Sequence, residues 1–232
     1  MVSTKKPQKY ENDCISEMDL LQNLNLNGPL MALSTIVKIN QVNNLSDARY
    51  CAGMGVAMIG FDLDPYSSNP IAPEVFEGIT GWLSGVELVG EFHQADLRAI
   101  ERTISQFDLD HIETERIELL QDLKDQGLSV LLKINLDEFS RDELNDLLET
   151  KKSLVKYFMI TSDKDLFPAP DYLKLIIQYP VLIGSGISRQ NLGQIKENAI
   201  TGIALTGGDE ISPGYKDFDE LADILEELEI EG

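Results

Sequence analysis

The sequence predicts an α/β protein with a single (β/α)8 TIM barrel and an N-terminal extension. From Ser34 onward, short apolar or β-branched runs alternate with amphipathic segments, which is the pattern of parallel strands joined by crossover helices. Eight such units follow without a break in composition, whereas an open doubly wound sheet fits six units better. The 232 residues, 43% of them hydrophobic, suffice to fill the core of one barrel.

Two regions are expected along the chain, an extension at residues 1–30 and a barrel at residues 31–232. The extension is polar, rich in Asn and Gln, and has no alternation of strand and helix. Its residues 16–24 have the apolar spacing of a short amphipathic helix. Disorder of the first dozen residues is the alternative.

The barrel elements follow from the apolar runs and the helical segments between them. Predicted strands lie near residues 35–40, 56–63, 86–92, 110–113, 128–134, 155–161, 181–184 and 201–206. Predicted helices lie near residues 46–54, 72–83, 94–106, 115–126, 138–150, 171–178, 188–197 and 217–229. The sequence thus places one helix after each strand.

Capping residues support these boundaries. Ser46, Ser140 and Ser188 stand at predicted helix starts, where a hydroxyl accepts from free backbone N–H groups. Gly127 follows the fourth helix, where a left-handed residue ends a helix well.

Charge excludes several classes of partner. The chain has 40 acidic and 19 basic residues and a net charge of −21, which argues against binding to nucleic acid or to anionic membranes. No apolar run reaches the length of a membrane span, and residues 1–10 lack the apolar centre of a signal peptide, so we expect a cytoplasmic protein. Cys14 and Cys51 have no metal-ligand spacing, and neither a metal nor a cofactor is expected. The alternative is a metal site of His93 or His111 with Glu91 or Glu113, although their spacing is not diagnostic.

Four sequence motifs match those of one enzyme family. Val-Lys-Ile-Asn at residues 37–40, followed by Asp-Ala at 47–48, is similar to the family's Val-Lys-Ile-Cys and its Asp-Ala helix start. Gly-Val-Ala-Met-Ile-Gly-Phe at 55–61 and Val-Gly-Glu-Phe at 89–92 are similar to its second and third strands. Ser-Pro-Gly-Tyr-Lys-Asp at 212–217 matches its Ser-Pro-Gly-x-Lys-Asp run. The barrel therefore resembles phosphoribosylanthranilate isomerase, an enzyme of tryptophan biosynthesis.

The resemblance implies a catalytic pair at two positions that hold other residues here. The family's general base, a cysteine, aligns with Asn40, and its general acid, an aspartate, aligns with Thr161. An amide and a hydroxyl do not exchange protons near neutral pH as a thiolate and a carboxyl group do. The family's arginine that faces the anthranilate part of the substrate aligns with Asn69. Standard isomerase activity is therefore not expected.

The loops after strands seven and eight are more similar to the family. The resemblance implies a phosphate-type site there, where glycines let backbone N–H groups approach an anion. The residues expected to form it are Gly184, Ser185, Gly186, Gly207 and Gly208. Glycines that serve only the tight turns are the alternative.

Strand alternation places Lys38 and Asn40 on one face of the first strand, and in the family register this face lines the barrel interior. The charged residues expected to converge near them are Asp62, Glu91, Glu113 and Lys133. Asp62, Glu91 and Glu113 are the candidates to replace the missing base. The alternative is that these charges only neutralise one another.

The sequence thus predicts an isomerase-like barrel with a phosphate-type pocket and a substituted acid and base. An active member would be an intramolecular oxidoreductase of the isomerase class that binds a phosphorylated small molecule. The alternative is a pseudoenzyme, a non-catalytic interaction or ligand-sensing barrel. A monomer or a homodimer is expected.

Overall fold

A computed structural model describes residues 33–164, 167–198, 200–206, 210–212, 215–216 and 219–230. The extension predicted for residues 1–30 lies outside the described residues. Within the described part of the chain, no helix is both long and apolar enough to cross a membrane.

Eight parallel strands form a closed barrel in which each strand pairs with its sequence neighbours and β8 pairs with β1. The strands are β1 Ile36–Asn40, β2 Met58–Asp62, β3 Glu87–Phe92, β4 His111–Thr114, β5 Val130–Asn135, β6 Tyr157–Thr161, β7 Val181–Ile183 and β8 Gly202–Thr206. The predicted fold class is confirmed, and every predicted strand corresponds to an observed one.

A helix follows each barrel strand. The helices are α1 Leu45–Gly53, α2 Pro73–Thr80, α3 Leu97–Ile104, α4 Leu120–Asp125, α5 Arg141–Lys151, α6 Pro170–Ile176, α7 Leu192–Glu197 and α8 Asp219–Leu228. A 3-10 turn at Ile117–Leu119 begins the predicted fourth helix, and another at Leu136–Glu138 precedes α5. Between β8 and α8, β9 (Glu210–Ser212) and β10 (Tyr215–Lys216) form an antiparallel pair.

Two of the four predicted caps are confirmed. Ser140 caps α5 through a reciprocal capping box with Glu143, and Gly127 adopts φ +78° just after α4. The prediction for Ser46 was wrong, because α1 begins one residue earlier and Asn44 accepts from the backbone N–H of Asp47.

The prediction that Ser188 opens the seventh helix was also wrong. Residues 186–191 form a turn that the Asn191 side chain closes, with its amide donating to the Gly186 carbonyl and its oxygen accepting from the Ser188 N–H. The helix therefore begins only at Leu192.

The barrel interior is layered. A central layer of apolar side chains comprises Met58, Val89, Leu131, Met159, Leu182 and Ala204. One inward position further along the strands, toward their carboxyl ends, this layer gives way to charged side chains at Lys38, Glu91 and Glu113. The apolar layer thus forms the floor beneath a polar mouth, at the end where barrels of this class place their sites.

Candidate functional site

A cavity of about 230 Å³ opens at the carboxyl ends of the strands, and we call it the mouth cavity. Its lining comprises Asn40, Gln41, Glu91, His93, Glu113, Lys133, Met159, Thr161, Ser162, Asp163, Gly184 and Thr206. A second cavity of similar volume shares Lys133, Thr161 and Asp163 with it. The lining joins Asn40 and Thr161, the positions that the resemblance assigns to the base and the acid, to the turn after β7.

Three buried charges lie at the base of the mouth cavity, and we call Lys38, Glu91 and Glu113 the mouth cluster. Lys38 Nζ lies 2.6 Å from Glu91 Oε1 and 2.9 Å from Glu113 Oε2. The two glutamates are brought side by side because their Cα atoms are register partners across β3 and β4. The exposed fractions of the three side chains are 0%, 0% and 2%.

Gly60 makes room for this cluster. A Cβ atom at this position would collide with the Glu91 carboxylate and with the Lys38 amine. Gly60 pairs with Val89 on β3, so its missing side chain leaves the space that the charges occupy. The glycine is therefore required by packing against the ion pair.

The mouth cluster is unbalanced, because two carboxylates share one ammonium group. Burial raises the pKa of Glu91, and the attraction of Lys38 does not overcome this effect. Burial opposes the charged form of Lys38, but the charges of Glu113 and Glu91 outweigh it and raise the Lys38 pKa. Glu91 Oε2 has no hydrogen-bond partner among the described residues. Glu91 is thus a buried carboxyl group with one oxygen available.

Asn40 and Thr161, which the resemblance aligns with the family's base and acid, make only local contacts. Asn40 accepts a hydrogen bond from Lys38 Nζ at 2.5 Å through Oδ1. The Thr161 hydroxyl donates to the Ile134 carbonyl at 3.3 Å. Both residues line the mouth cavity, and neither side chain titrates near neutral pH.

Two of the expected charged residues do not join the mouth cluster. The Asp62 carboxylate accepts from the Ser67 hydroxyl at 2.5 Å and from the Asp64 N–H at 3.2 Å, so it holds its own loop. Lys133 lines the mouth cavity and pairs with Glu115, with Nζ 2.8 Å from Oε1. Glu91 and Glu113 are therefore the candidate bases that meet Lys38.

The predicted phosphate loops are described in part. Gly184 lines the mouth cavity and Gly186 has φ +64°, a conformation that favours glycine. The Ser185 hydroxyl accepts from the Ser162 N–H at 2.8 Å, which ties the loops after β6 and β7 together. Gly207 and Gly208 lie outside the described residues.

His93 completes the lining, and the sequence predicted it only as an alternative metal ligand and not as an acid–base residue. Its Nδ1 lies 3.1 Å from Glu115 Oε1, and this hydrogen bond raises the pKa of His93. In return, the hydrogen bond of His93 lowers the pKa of Glu115 to about 2. His93 Nε2 is buried and has no hydrogen-bond partner within the described part of the chain. Its position two residues after Glu91 was the available signal, since alternate positions share a face.

Asp64 fixes the backbone around His93. Its carboxylate accepts from the N–H groups of His93, Gln94 and Ala95, and from that of Tyr66 in its own loop. Burial alone would raise the pKa of Asp64, but these four donors lower it. Asp64 therefore links the loops after β2 and β3 at the mouth.

The other histidine lies at the opposite end of the barrel. His111 Nε2 lies 3.0 Å from Glu87 Oε2 and 2.9 Å from Lys156 Nζ, and we call these three residues the lower cluster. Lys156 and Glu87 also pair with each other at 3.0 Å. Among the described residues, no group of three or more His, Cys, Asp or Glu side chains is arranged to hold a metal ion.

Comparison with known proteins agrees with the motifs. The chain is 24% identical over 221 residues to the N-(5'-phosphoribosyl)anthranilate isomerase of Rippkaea orientalis, covering 83% of this chain and 95% of that protein. The chain resembles phosphoribosylanthranilate isomerase. The resemblance predicted from the sequence is thus confirmed. No protein-family model matches the chain.

Solved isomerase structures share the fold. The isomerase of Thermus thermophilus superposes with a TM-score of 0.69 at 22% identity, over 84% of this chain and 98% of that one. The isomerase of Thermotoga maritima superposes with a TM-score of 0.65 at 21% identity, over 83% and 97%. Another isomerase structure, with a TM-score of 0.65 at 22% identity over 83% and 97%, contains reduced 1-(o-carboxyphenylamino)-1-deoxyribulose 5-phosphate.

Proposed function

We propose that this chain is a divergent barrel of the phosphoribosylanthranilate isomerase type that binds a phosphorylated small molecule in its mouth cavity. In this proposal, the family's isomerisation is lost with its acid and base. The observation that carries the proposal is the cavity of about 230 Å³ that joins Asn40 and Thr161 to Gly184 of the phosphate-type turn. A barrel serving only as a scaffold does not need such a cavity above a layer of buried charges.

The ligand class follows from the donors of the lining and from the relatives. Lys133 and His93 place nitrogen donors on one side of the cavity, where Glu91, Glu113 and Asp163 also line it, and the turn after β7 lies on another. One similar isomerase holds a phosphorylated deoxyribulose derivative. A protein of charge −21 repels anions at long range, so binding must come from such local donors. We therefore expect weak, salt-sensitive binding.

Thermal unfolding with ribose 5-phosphate and with inorganic phosphate tests this proposal. A ligand at a hundred times its dissociation constant stabilises the folded state by about 2.7 kcal/mol, which shifts a melting curve visibly. Thr206 is exposed and lines the cavity, so Thr206→Glu places a negative charge at the mouth without disturbing the core. We expect the ligand-induced shift to disappear in this variant.

Thr150→Glu is the matched control, because Thr150 is exposed on α5, outside the cavity lining. It should show the parent's shift. If millimolar ribose 5-phosphate and phosphate leave the parent's melting curve unchanged, or if Thr206→Glu shifts as the parent does, the cavity does not bind such ligands. The non-catalytic scaffold would then be the better interpretation.

Turnover of phosphoribosylanthranilate tests the loss of the family's reaction. We expect negligible consumption of the substrate, because Asn40 and Thr161 cannot exchange protons. Loss of substrate fluorescence is the measurement. Asn40→Cys with Thr161→Asp should raise the rate above the parent, since Lys38 beside Asn40 would favour a thiolate there. Robust turnover by the parent would contradict the proposal.

A further inference from the structure

Two unpartnered titratable atoms belong to the same cavity. Glu91 Oε2 and His93 Nε2 are both buried without a hydrogen-bond partner among the described residues. Both side chains line the mouth cavity, and they stand two residues apart at the end of β3, so they share a face. A buried polar atom left unpaired in a folded protein is uncommon and calls for an explanation. A bound ligand would supply the missing partners.

The contacts of Glu91 leave one oxygen for a ligand. Lys38 Nζ holds Oε1 at 2.6 Å, which orients the carboxyl group and leaves Oε2 unpaired. Lys38 also pairs with Glu113, so its single positive charge does not fully neutralise Glu91. Oε2 is therefore the atom at which Glu91 can take up a proton, and burial raises the pKa of this carboxyl group above its ordinary value.

The contacts of His93 determine which nitrogen exchanges a proton. Nδ1 donates to Glu115, whose carboxylate is also held by Lys133. Because Nδ1 keeps its hydrogen in this bond, the proton that His93 gains or loses is the one on Nε2. Asp64 fixes the backbone N–H of His93, while Glu115 orients its ring. The charged groups around the pair are Lys38, Glu113, Glu115 and Lys133.

We propose that Glu91 and His93 form a proton-transfer pair that acts on a phosphorylated α-hydroxy ketone or aldehyde held in the mouth cavity. This inference rests on the proposed function, because it needs the phosphorylated ligand to bind there. It assigns the chemistry to Glu91 near the end of β3 and to His93 just after that strand, in place of Asn40 on β1 and Thr161 on β6.

The proton transfer balances without a cofactor. Glu91 Oε2 takes the proton from the carbon beside the carbonyl group, so a C–H bond breaks and an O–H bond forms. The electron pair of that C–H bond becomes the C=C bond of an enediol. The π electrons of the carbonyl group move onto its oxygen, which takes the Nε2 proton of a protonated His93. Reversal of both transfers restores the original carbonyl group. Alternatively, Glu91 gives its proton to the former carbonyl carbon while the neighbouring hydroxyl gives its proton to His93 Nε2, which forms the C=O bond at the neighbouring carbon.

Deuterium exchange from D₂O into ribulose 5-phosphate, monitored by NMR, tests the proton-transfer pair of Glu91 and His93. The hydrogens on the carbons that flank the carbonyl group should exchange faster with the protein than in buffer. Glu91→Gln and His93→Gln should each slow this exchange by about a hundredfold or more. Glu91→Gln leaves Lys38 paired with Glu113, so the variant should fold, as circular dichroism can verify. His111→Gln is the control, because it changes the other histidine, at the far end of the barrel. With this variant, the hydrogens of ribulose 5-phosphate should exchange at the rate seen with the parent.

Binding of ribulose 5-phosphate, measured by calorimetry on the same samples, separates the two proposals. The proton-transfer pair is supported if the parent binds ribulose 5-phosphate and exchanges its hydrogens, and if both variants lose that exchange. Binding without exchange overturns the pair and leaves the proposed function standing. Exchange that survives in either variant also overturns the pair. Absence of binding by the parent contradicts the proposed function, and the proton-transfer pair with it.

Discussion

Two polar clusters lie inside the same barrel, one at each end of its strands, and they differ in burial and in charge balance. The mouth cluster is almost completely buried and has two carboxylates for one ammonium group. The lower cluster has one carboxylate, one ammonium group and a histidine, and its lysine and glutamate are 32% and 46% exposed. The same residue types therefore experience two different environments in one barrel.

The pKa shifts of Glu91 and Glu87, the two glutamates of β3, show this difference. Burial raises the pKa of Glu91, and the attraction of Lys38 does not overcome this effect because the charge of Glu113 adds to it. At the other end of the strand, burial opposes ionisation of Glu87, but hydrogen bonds from His111 and Lys156 lower its pKa. An ion pair with balanced charge and access to water is typical of a structural cluster, whereas an unbalanced, buried one is typical of a functional site.

Removal of the lysine from each cluster should give the largest contrast. Lys38→Met leaves two buried carboxylates without a cation, so the free energy of unfolding should fall by about 3–5 kcal/mol. Lys156→Met removes a partly exposed ion pair and should change the free energy of unfolding by about 0–1 kcal/mol. Urea unfolding measures both values. Equal losses would mean that the two clusters are energetically alike.

Loss of a carboxylate acceptor should also differ between the two ends. Asp64→Asn weakens four backbone hydrogen bonds at the mouth, so we expect a loss of about 2–3 kcal/mol in the free energy of unfolding. Asp110 accepts from one exposed N–H, that of Leu88, before β4, and Asp110→Asn should change stability by about 1 kcal/mol or less. A small effect at Asp64 would show that the loops hold His93 without it.

A methyl group placed beside the mouth cluster should destabilise the barrel through overpacking. In Gly60→Ala, the new Cβ collides with Glu91 and Lys38, and we expect a loss of about 1–3 kcal/mol in the free energy of unfolding. Gly78 lies in α2 with open space around it, so Gly78→Ala should stabilise by about 0.5–1 kcal/mol. If Gly60→Ala is neutral in urea unfolding, the cluster has room to move.

The pH dependence of stability should have opposite signs at the two glutamates. The pKa of Glu91 is raised, so its contribution to stability is full below its ordinary pKa of 4.5 and is lost as the pH rises through the folded value. Glu91→Gln should therefore become more stable relative to the parent as the pH rises above 4.5.

The pKa of Glu87 is lowered, so its contribution is present above 4.5 and is lost as the pH falls through the folded value. Glu87→Gln should approach the parent's stability as the pH falls below 4.5. Urea unfolding of the parent and both variants between about pH 3.5 and about pH 8 measures both trends. Trends of the same sign would contradict the contrast between the two clusters.

The order of elements could be predicted because it depends on local patterns. Each parallel strand is a short apolar run and each helix has its own amphipathic spacing, so the eight units are visible without knowledge of their packing. Helix starts were less certain. Asn44 and Ser46 are both good caps, as are Ser188 and Asn191, and the choice depended on side-chain contacts within each turn.

For the site, alternation along the strands determined that Lys38, Glu91 and Glu113 share the barrel interior, and the family motifs indicated where the acid and base positions lie. Only the tertiary structure decided which charges pair. Asp62 accepts a hydrogen bond from Ser67, and Lys133 pairs with Glu115. The same Glu115 carboxylate binds and orients the His93 ring. The physical reason is that pairing depends on distances of a few ångströms between strands far apart in sequence, whereas the face of a strand depends only on the parity of the residue number.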